Sequence, residues 1–503
     1  MRFAEYDIRN DGRRGKMSMI DDQTVVKVLR QYNPWWSDAG AIRVVCPPQR
    51  RLVFDEAMRI LQHESLRRFV LLSGMRRVGK TTLLYQMIEA LLDAGVPAKN
   101  ILYVTFDNPM LKVVSMGEVL ETYAELFAAT GEKYVFFDEV QYAQDWERWL
   151  KVLYDSRDDL RLVATGSASP LLEKGSEESG AGRWSVLKVQ SLSFYEYCRL
   201  LDLPEPDLSE MPLLSELAQL PKARAVYLME NFSPLVNAFN RYLLVGGFPE
   251  LALADDDAYA QRRLREDVVD RVIKRDVMTL FNIRSPLMME KLLLYLCLHS
   301  TQLFNVTTAA KEIGGISPVT LESYLSALEM ANLIYIAKPI GVGSKAVLKG
   351  KPKIFVADAA IRNAVLMIDD VLSDETELGA TIETTVYKHM VSYFEGSMAE
   401  IGYYRKSRDN QKEVDVVVGL PRGTKILCEV KYRNQSHLPE SDAIVELCRD
   451  ETARVAQAFL ITKRLEDVGP TQHETNVPIL RIPALPFLYL LGKQEAEGSA
   501  GRL

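Results

Sequence analysis

The sequence predicts an α/β protein built around a parallel sheet, and three observations carry that prediction. Short apolar runs alternate with helical patterns between about residues 51 and 204, which is typical of strands joined by crossover helices. A glycine-containing turn at 74–79 leads from one apolar run directly into a helical pattern. A second strand-rich stretch, at 413–431, ends in alternating acidic and basic residues.

Composition and charge narrow the function classes. The chain has 503 residues, too many for a single core, and a net charge of −7, which argues against broad, non-specific nucleic-acid binding. Its apolar runs are short and residues 1–20 contain no apolar block, so neither a membrane span nor a secretory signal is expected. The five cysteines are scattered singly, which indicates reduced thiols and a cytoplasmic location.

The turn at 74–81 reads Gly-Met-Arg-Arg-Val-Gly-Lys-Thr and fits the phosphate-binding pattern G-x-x-x-x-G-K-T. In such a loop the backbone N–H groups face a phosphate, and the following helix adds its positive end. Lys80 is expected to reach the β- and γ-phosphates, and the Thr81 hydroxyl to hold Mg²⁺. We therefore expect a nucleoside triphosphate and Mg²⁺ as ligands, with the nucleotide contacted by Gly74, Arg76, Arg77, Val78, Gly79, Lys80, Thr81 and Thr82.

The expected strands of the first sheet are apolar runs bounded by turns. One complete strand falls in the sequence between the phosphate loop and the next acidic strand. That insertion is typical of the P-loop ATPases with an extra strand, which include the AAA+ class. The strands are 69–72, 101–106, 134–137, 161–164 and 185–189.

Two carboxylates end the third expected strand. Asp138 is placed to hold Mg²⁺ through water, and Glu139 to polarise the water that attacks the γ-phosphorus. The fourth strand ends in hydroxyls, so Thr165 or Ser167 is expected to lie between the phosphate and acidic elements and to sense the γ-phosphate.

Hydrolysis also needs a positive charge on the phosphoryl oxygens. Arg183 is the candidate, because it follows a loop at 173–180. Arg76 and Arg77 compete with it, since they lie in the phosphate loop itself. An arginine that acts across subunits would require a homo-oligomer.

These motifs resemble a family of prokaryotic AAA-type ATPases that carry a C-terminal region named DUF4143. The resemblance rests on Gly-x-Arg-Arg-x-Gly-Lys-Thr, Phe-Phe-Asp-Glu-Val-Gln, Thr-Gly-Ser-x-Ser and Gly-Arg followed by Leu-Ser-Phe-x-Glu-Tyr. The stretch Gly-Gly-Phe-Pro-Glu at 246–250 matches the same family, and the likeness extends from about residue 65 onward. It implies an ATPase core without naming its substrate or pathway.

The predicted architecture is a P-loop parallel sheet of the AAA+-like, extra-strand type followed by three further regions. A helical, charge-rich stretch forms a lid, three helices and a hairpin suggest a winged helix-turn-helix, and an α/β restriction-endonuclease-like domain follows. Within the lead-in, Trp35 and Trp36 are expected to anchor onto the ATPase core. The expected boundaries are an irregular lead-in 1–50, ATPase core 51–204, lid 205–285, winged helix 286–369, nuclease-like domain 370–492 and frayed tail 493–503.

The C-terminal strands carry a second candidate site. Strand periodicity puts Glu429 and Lys431 on one face, and pairing of 413–418 with 424–430 would bring Asp415 to Glu429. The set is similar to the PD-(D/E)xK nuclease core, with Glu383 on the preceding helix as a further acidic ligand. This similarity implies a metal bound by Glu383, Asp415 and Glu429, and Lys431 activating a water. In place of the Glu-Asn of related helices, this chain has Glu383 followed by Thr384.

Three functions follow from these motifs. The first is an ATPase whose nucleotide state arranges a DNA-engaging C-terminal half. The second is a metal-dependent DNA nuclease regulated by ATP, and the third is a non-catalytic, nucleotide-switched regulator that binds DNA or a protein. Basic residues near the acidic motif suggest a local groove for nucleic acid, or else a solvated charged face; they are Lys406, Arg408, Lys412, Lys425, Lys431 and Arg433.

Overall fold

In its described part, the computed structural model has two β-sheets connected and covered by helices, which confirms the predicted α/β class. One sheet has five strands and the other has eight. No helix in the described part of the chain has both the length and the apolar composition that a bilayer crossing demands. The residues that the structure describes are 21–44, 46–127, 131–167, 182–209, 211–212, 214–278, 281, 283, 285–341, 350–406 and 412–498.

The lead-in is more ordered than the sequence suggested. Helix α1, Asp22–Tyr32, begins where the Asp21 side chain accepts the Thr24 N–H at 2.7 Å. The expectation of an irregular segment is therefore wrong for this stretch, because Val25 and Leu29 lie one helical turn apart and are buried in the core of the first sheet.

The predicted tryptophan anchor is confirmed. The indole Nε1 atoms of Trp35 and Trp36 both donate to the carbonyl oxygen of Ile101, at 3.2 and 2.8 Å. The lead-in is thus attached to the second strand of the ATPase sheet, where the indole rings also bury apolar surface.

The first sheet has the five predicted strands, all parallel. They are β1 Phe69–Ser73, β2 Ile101–Thr105, β3 Lys133–Asp138, β4 Leu160–Gly166 and β5 Trp184–Lys188. The helices between and before them are α2 Val53–Leu61, α3 Lys80–Asp93, α4 Met116–Leu126 and α5 Trp146–Ser156.

The strand order in this sheet is β2-β3-β4-β1-β5. Although β2 is the strand inserted in the sequence, it lies at the edge of the sheet, and β4 is the strand that separates β1 from β3. Because all five strands are parallel, the carboxyl ends of β1, β4 and β3 meet at one edge. The phosphate loop, the hydroxyl residues and the acidic pair follow these three ends.

The stretch after the first sheet is helical, as predicted. Its core is shared with the C-terminal region, so it does not pack only on the nucleotide domain. Phe232, which belongs to the predicted lid, packs edge-on against Tyr489, with ring centroids 5.5 Å apart. The elements are α6 Phe194–Leu200, α7 Lys222–Glu230, α8 Val236–Val245, α9 Pro249–Ala252, α10 Asp257–Arg265 and a π-helical segment Glu266–Val277.

Three helices and an antiparallel hairpin come next, in the order that the sequence suggested. They are α11 Pro286–Leu298, α12 Val306–Glu312, α13 Pro318–Met330, β6 Ile334–Pro339 and β7 Lys353–Val356. The first strand of the hairpin also pairs with a C-terminal strand, with Lys338 opposite Gly402. The hairpin is therefore an edge of the eight-stranded sheet and is fixed to the C-terminal region.

The C-terminal region completes this mixed sheet, whose order is β12-β13-β11-β10-β9-β8-β6-β7. The predicted frayed tail is wrong for 493–496, because these residues continue the last helix. In that helix Gln494 accepts a hydrogen bond from the Tyr393 hydroxyl at 3.2 Å. Residues 499–503 lie outside the described residues. The elements are α14 Ala359–Leu366, α15 Glu375–Tyr393, β8 Glu400–Arg405, β9 Glu413–Gly419, β10 Lys425–Val430, α16 Ala443–Arg449, β11 Val455–Thr462, β12 Gly469–Pro470, β13 Ile479–Pro483 and α17 Ala484–Ala496.

Candidate active site

The phosphate loop leaves β1 under tight steric constraint. A Cβ at Gly74 would lie 2.1 Å from the carbonyl oxygen of Val189, so only glycine fits there. Gly79 has a φ of +95° and Arg77 a φ of +65°, left-handed values that turn the backbone into the first turn of α3. These constraints give the loop the sharp curvature that a phosphate cradle needs.

Lys80 is folded over this loop. Its side chain is buried, and Nζ donates to the carbonyl oxygens of Gly74 and Met75 at 2.8 and 2.9 Å. The ammonium group therefore stands at the centre of the curled backbone, where it complements an anion held by the loop N–H groups.

The acidic end of β3 reaches the loop directly. Thr81 Oγ1 donates to Asp138 Oδ2 at 2.8 Å, and the Tyr103 hydroxyl donates to the same oxygen at 2.9 Å. Thr165 Oγ1 donates to Asp138 Oδ1. Burial raises the pKa of Asp138, and the charge of Glu139 raises it further, while the three hydroxyl contacts act in the opposite direction.

This arrangement fits a magnesium ion. Mg²⁺ prefers oxygen ligands, and the Thr81 hydroxyl and Asp138 carboxylate already lie within hydrogen-bond distance of each other. Thr81 directly follows Lys80 of the phosphate loop, so an ion held by these two side chains would lie beside a bound phosphate.

Glu139 is held in a left-handed conformation, with a φ of +54°. Its N–H donates to Thr165 Oγ1 at 3.0 Å, and its carboxylate accepts from the Gln141 amide, which also donates to Ser167 Oγ at 3.1 Å. Both hydroxyl candidates therefore contact the acidic pair or its partner. Gln141 ends the Phe-Phe-Asp-Glu-Val-Gln motif, but the sequence assigned it no role.

The two arginines of the loop point toward different neighbours. Arg76 Nη2 lies 3.8 Å from Asp107 and 3.5 Å from the Tyr142 hydroxyl. Arg77 forms ion pairs with Glu250 and with Asp267, the latter at 2.6 Å. Arg77 thus connects the phosphate loop to the Gly-Gly-Phe-Pro-Glu stretch and to the π-helical segment, a contact that spacing alone did not reveal.

Arg183 is not brought to the phosphate loop of its own chain. Its carbonyl oxygen accepts the N–H of Phe69, the first residue of β1, whereas the loop follows Ser73 at the other end of that strand. Its guanidinium pairs with Asp155 at 2.8 Å. Within one chain the structure therefore keeps Arg183 away from the phosphate loop, because β5 runs parallel to β1 and the residue precedes it. The loop at 173–180 lies outside the described residues.

A cavity of about 190 Å³ lies beside the start of α3. Gly79 and Thr82 line it on the loop side, and Pro47, Pro249 and Leu253 supply apolar surface. Charged side chains line the cavity as well, among them Arg51, Glu196 and Arg199.

Gln86 is the polar residue of interest in this cavity, and the sequence gave no reason to select it. Its Nε2 donates to the carbonyl oxygens of Pro47 and Gln49 at 2.8 and 2.9 Å, so Oε1 is fixed as an acceptor. Among the described residues, no donor reaches this buried Oε1.

The C-terminal strands bring the second candidate set together. Strands β9 and β10 are antiparallel, with Val416 opposite Cys428, so Asp415 lies near the end of β10 and accepts the Val430 N–H at 2.9 Å. Lys431 Nζ pairs with Glu429 Oε1. Glu383 and Asp415 both line a cavity of about 390 Å³ that also contains Lys431 and Arg433.

A lysine that the sequence analysis did not select lies among these carboxylates. Lys353, the first residue of β7, places Nζ 3.1 Å from Glu383 Oε1 and 4.0 Å from Asp415 Oδ1, and it pairs with Glu413. Burial lowers the pKa of Lys353, but the attraction of the three carboxylates outweighs it and the pKa is raised. Burial raises the pKa of Glu383 to about 8, an effect that Lys353 partly offsets and Asp415 reinforces.

The predicted basic residues do not share one environment. Lys406 and Lys412 pair with Glu446, and Lys425 is buried and donates to the carbonyl oxygen of Ala453 at 3.0 Å. Lys431 and Arg433 line the cavity described above, and Arg408 lies outside the described residues. A groove for nucleic acid in this region stays a prediction.

Three family models match successive stretches of the chain. Residues 66–198 match the model of an AAA domain, residues 236–372 match DUF8612, a domain of unknown function, and residues 378–483 match DUF4143, another domain of unknown function. A Haemophilus influenzae protein described as uncharacterized is 24% identical over 394 residues, which cover 74% of this chain and 92% of that protein. A Methanocaldococcus jannaschii protein, also described as uncharacterized, is 26% identical over 374 residues, which cover 73% and 76%.

Two solved structures are similar to parts of the chain. The Walker-type ATPase of Pyrococcus abyssi is 18% identical, with a TM-score of 0.39, and the match covers 64% of this chain and 98% of that one. The Aeropyrum pernix Orc1 protein, solved in complex with DNA, is 13% identical, with a TM-score of 0.28 and coverage of 63% and 91%. On its motifs, its sheet and the AAA-domain and DUF4143 models, the chain has an AAA domain of the P-loop ATPase type at 66–198 and a DUF4143 region at 378–483.

Proposed function

We propose that the protein is a Mg²⁺-dependent ATPase whose nucleotide state sets the arrangement of its C-terminal half. The observation that carries the proposal is the contact between Thr81 of the phosphate loop and Asp138 of the acidic strand, at 2.8 Å. It unites the two elements that phosphoryl transfer needs, a phosphate cradle and a carboxylate beside it.

Each residue then has a defined task. The loop N–H groups and Lys80 hold the β- and γ-phosphates, and Thr81 with Asp138 would hold Mg²⁺. When bound, Mg²⁺ neutralises charge on the phosphate oxygens. Glu139 orients the attacking water and accepts its proton, while Thr165, which contacts both carboxylate residues, aligns them with the γ-phosphate.

The Lys80→Ala variant tests this proposal. We expect ATP hydrolysis to fall by at least about 10²-fold, because a preorganised positive charge on the phosphates is lost. Phosphate release at saturating Mg²⁺ and ATP measures it, with Lys222→Ala, at an exposed helical position, as the matched control. Wild-type turnover in Lys80→Ala would refute the proposed ATPase site.

The base of the nucleotide is proposed to be adenine, held in the cavity beside α3. Adenine carries an exocyclic amino group that can donate to Gln86 Oε1, whereas guanine presents a carbonyl oxygen at the corresponding position. The fixed orientation of the Gln86 amide, with Nε2 bound to two carbonyl oxygens, supports this choice.

Replacing Gln86 with alanine is expected to reduce the preference for ATP over GTP about fivefold. That change corresponds to one hydrogen bond worth about 1 kcal/mol. Competition binding of ATP and GTP measures it, and Gln62→Ala, at an exposed position after α2, is the control. An unchanged ratio would show that Gln86 does not read the base.

A set of contacts supports control of the C-terminal half by the nucleotide. Arg77 of the phosphate loop pairs with Glu250, at the end of the Gly-Gly-Phe-Pro-Glu stretch. In the same stretch, the Gly247 N–H donates to Asp358 Oδ2 at 3.2 Å, and Asp358 pairs with Lys388 at 2.9 Å. A shift of the loop on hydrolysis would therefore be transmitted to the long helix α15.

DNA is proposed as the partner of the C-terminal half. A homo-oligomer, in which a second copy of the chain assembles with the first, is proposed as well. The three helices and hairpin at 286–356 have the element order of a winged helix-turn-helix, which supports the first proposal. Arg183 is too far from its own phosphate loop to act there, so a role in hydrolysis requires a neighbouring copy. ATPase rates with and without duplex DNA, and the oligomeric state with ATP, test these two proposals.

A further inference from the structure

The acidic cluster of the C-terminal half already contains a cation from the chain itself. Lys353 is 3% exposed and its ammonium lies between carboxylates from α15 and β9: Glu383 at 3.1 Å, Asp415 at 4.0 Å and Glu413 in direct contact. The ammonium donates to Glu383 and contacts Glu413 directly, while the more distant Asp415 adds electrostatic attraction.

The lysine is placed there by the topology of the sheet. It begins β7, the outer strand of the hairpin, whose inner strand β6 pairs with β8. The Lys353 side chain also lies 5.6 Å from the ring centroid of Tyr403, and the Tyr403 hydroxyl donates to the carbonyl oxygen of Lys351. The hairpin and the acidic cluster are therefore joined by a charge contact and by backbone pairing.

These residues do not fit a divalent metal. A nuclease-like core would use Glu383, Asp415 and Glu429 as oxygen ligands, with Lys431 beside them. Here a second ammonium, that of Lys353, lies 3.1 Å from Glu383 Oε1 and 4.0 Å from Asp415 Oδ1. A divalent cation placed beside these two carboxylates would be repelled by the Lys353 charge.

We propose that the Lys353 ammonium is the resident cation of this cluster, so that the C-terminal region holds its hairpin through Lys353 and performs no metal-dependent cleavage of nucleic acid. The cluster borders a cavity of about 390 Å³, so ions from solvent can reach it. The exclusion of metal therefore comes from the lysine charge.

Manganese binding without nucleotide tests the inference. Isothermal titration and the Mn²⁺ paramagnetic resonance signal measure Mn²⁺ binding. The full-length wild type and its Asp415→Asn variant are expected to bind Mn²⁺ equally, because the wild type has no Mn²⁺ site that depends on Asp415. Lys353→Met is expected to gain such a site, with an affinity at least about tenfold above any residual Mn²⁺ binding of the wild type, because the carboxylates lose their cation. Adding Asp415→Asn to Lys353→Met should abolish the gain.

The controls separate this inference from the proposed ATPase. Lys351→Met replaces an exposed lysine two residues before the start of β7, and this variant should gain no Mn²⁺ site. Failure of Lys353→Met to gain Mn²⁺ while folded, judged by circular dichroism, would overturn the proposal. If that variant does not fold, the wild type provides the test. Mn²⁺ binding or DNA cleavage by the wild type that Asp415→Asn removes would overturn the proposal. If the wild type shows neither activity, the proposal is supported. None of these results depends on ATP hydrolysis, which Lys80→Ala tests.

Discussion

Replacing Glu139 with glutamine is expected to lower ATP turnover by about 10²–10⁴-fold while ATP binding stays close to that of the wild type. The side chain contacts Gln141 and stands after Asp138, beyond the carboxyl end of β3. Glutamine has nearly the same shape but cannot accept the proton of the attacking water. The loss should therefore appear in kcat and spare the affinity for nucleotide.

Single-turnover phosphate release and equilibrium binding of a fluorescent ATP analogue separate the two quantities. Glu121→Gln, at an exposed position of α4, is the matched control and should behave as wild type. A Glu139→Gln variant that hydrolyses ATP at the wild-type rate would assign the water-orienting role elsewhere. Loss of binding and turnover together would instead indicate a structural role for this left-handed residue.

The phosphate site was predictable because its residues are consecutive or end successive strands. The spacing from Gly74 to Thr81 selects one loop conformation, and a strand must precede it for the backbone to turn as required. Asp138 and Thr165 end apolar runs, and parallel strands bring such ends to one edge of a sheet. The structure places all of them together by those rules.

The contacts missed from the sequence join residues that are far apart in the chain. The orientation of the Gln86 amide is fixed by two carbonyl oxygens of the lead-in, those of Pro47 and Gln49. Nothing in the pattern of its own helix distinguishes this residue. Lys353 meets Glu383 only because the hairpin extends the C-terminal sheet. Side-chain periodicity gives the face of each strand, but it does not give the order of strands in a sheet.

Arg183 shows the same limit at a single strand. The sequence placed it after a loop and before an apolar run, which left open the end of the sheet at which it would stand. Because β5 is parallel to β1, a residue that precedes β5 lies at the amino ends of the strands. The phosphate loop lies at the carboxyl ends, about a full strand length away.

Replacing Asp358 with asparagine is expected to lower the free energy of unfolding by about 3–5 kcal/mol, because the Lys388 ammonium would remain buried without its counter-charge. The pair is 2.9 Å apart, with 4% and 3% of the two side chains exposed. Lys388 also donates to the carbonyl oxygen of Leu192 and to the Tyr242 hydroxyl, each at 2.9 Å. These neutral acceptors solvate the ammonium only in part.

The double variant Asp358→Asn with Lys388→Met identifies the cause. If the buried unpaired charge is responsible, removing it should recover a substantial part of the lost stability, measured by thermal and denaturant unfolding. Asp369→Asn, at an exposed position after α14, is the control. A double variant no more stable than Asp358→Asn alone would instead assign the loss to the hydrogen bonds that Asp358 accepts from Ser191, Gly247 and Ala360. In that case the carboxylate would act chiefly as an anchor for the Gly-Gly-Phe-Pro-Glu stretch, and the same substitution should disturb the response of the C-terminal half to ATP without requiring Lys388.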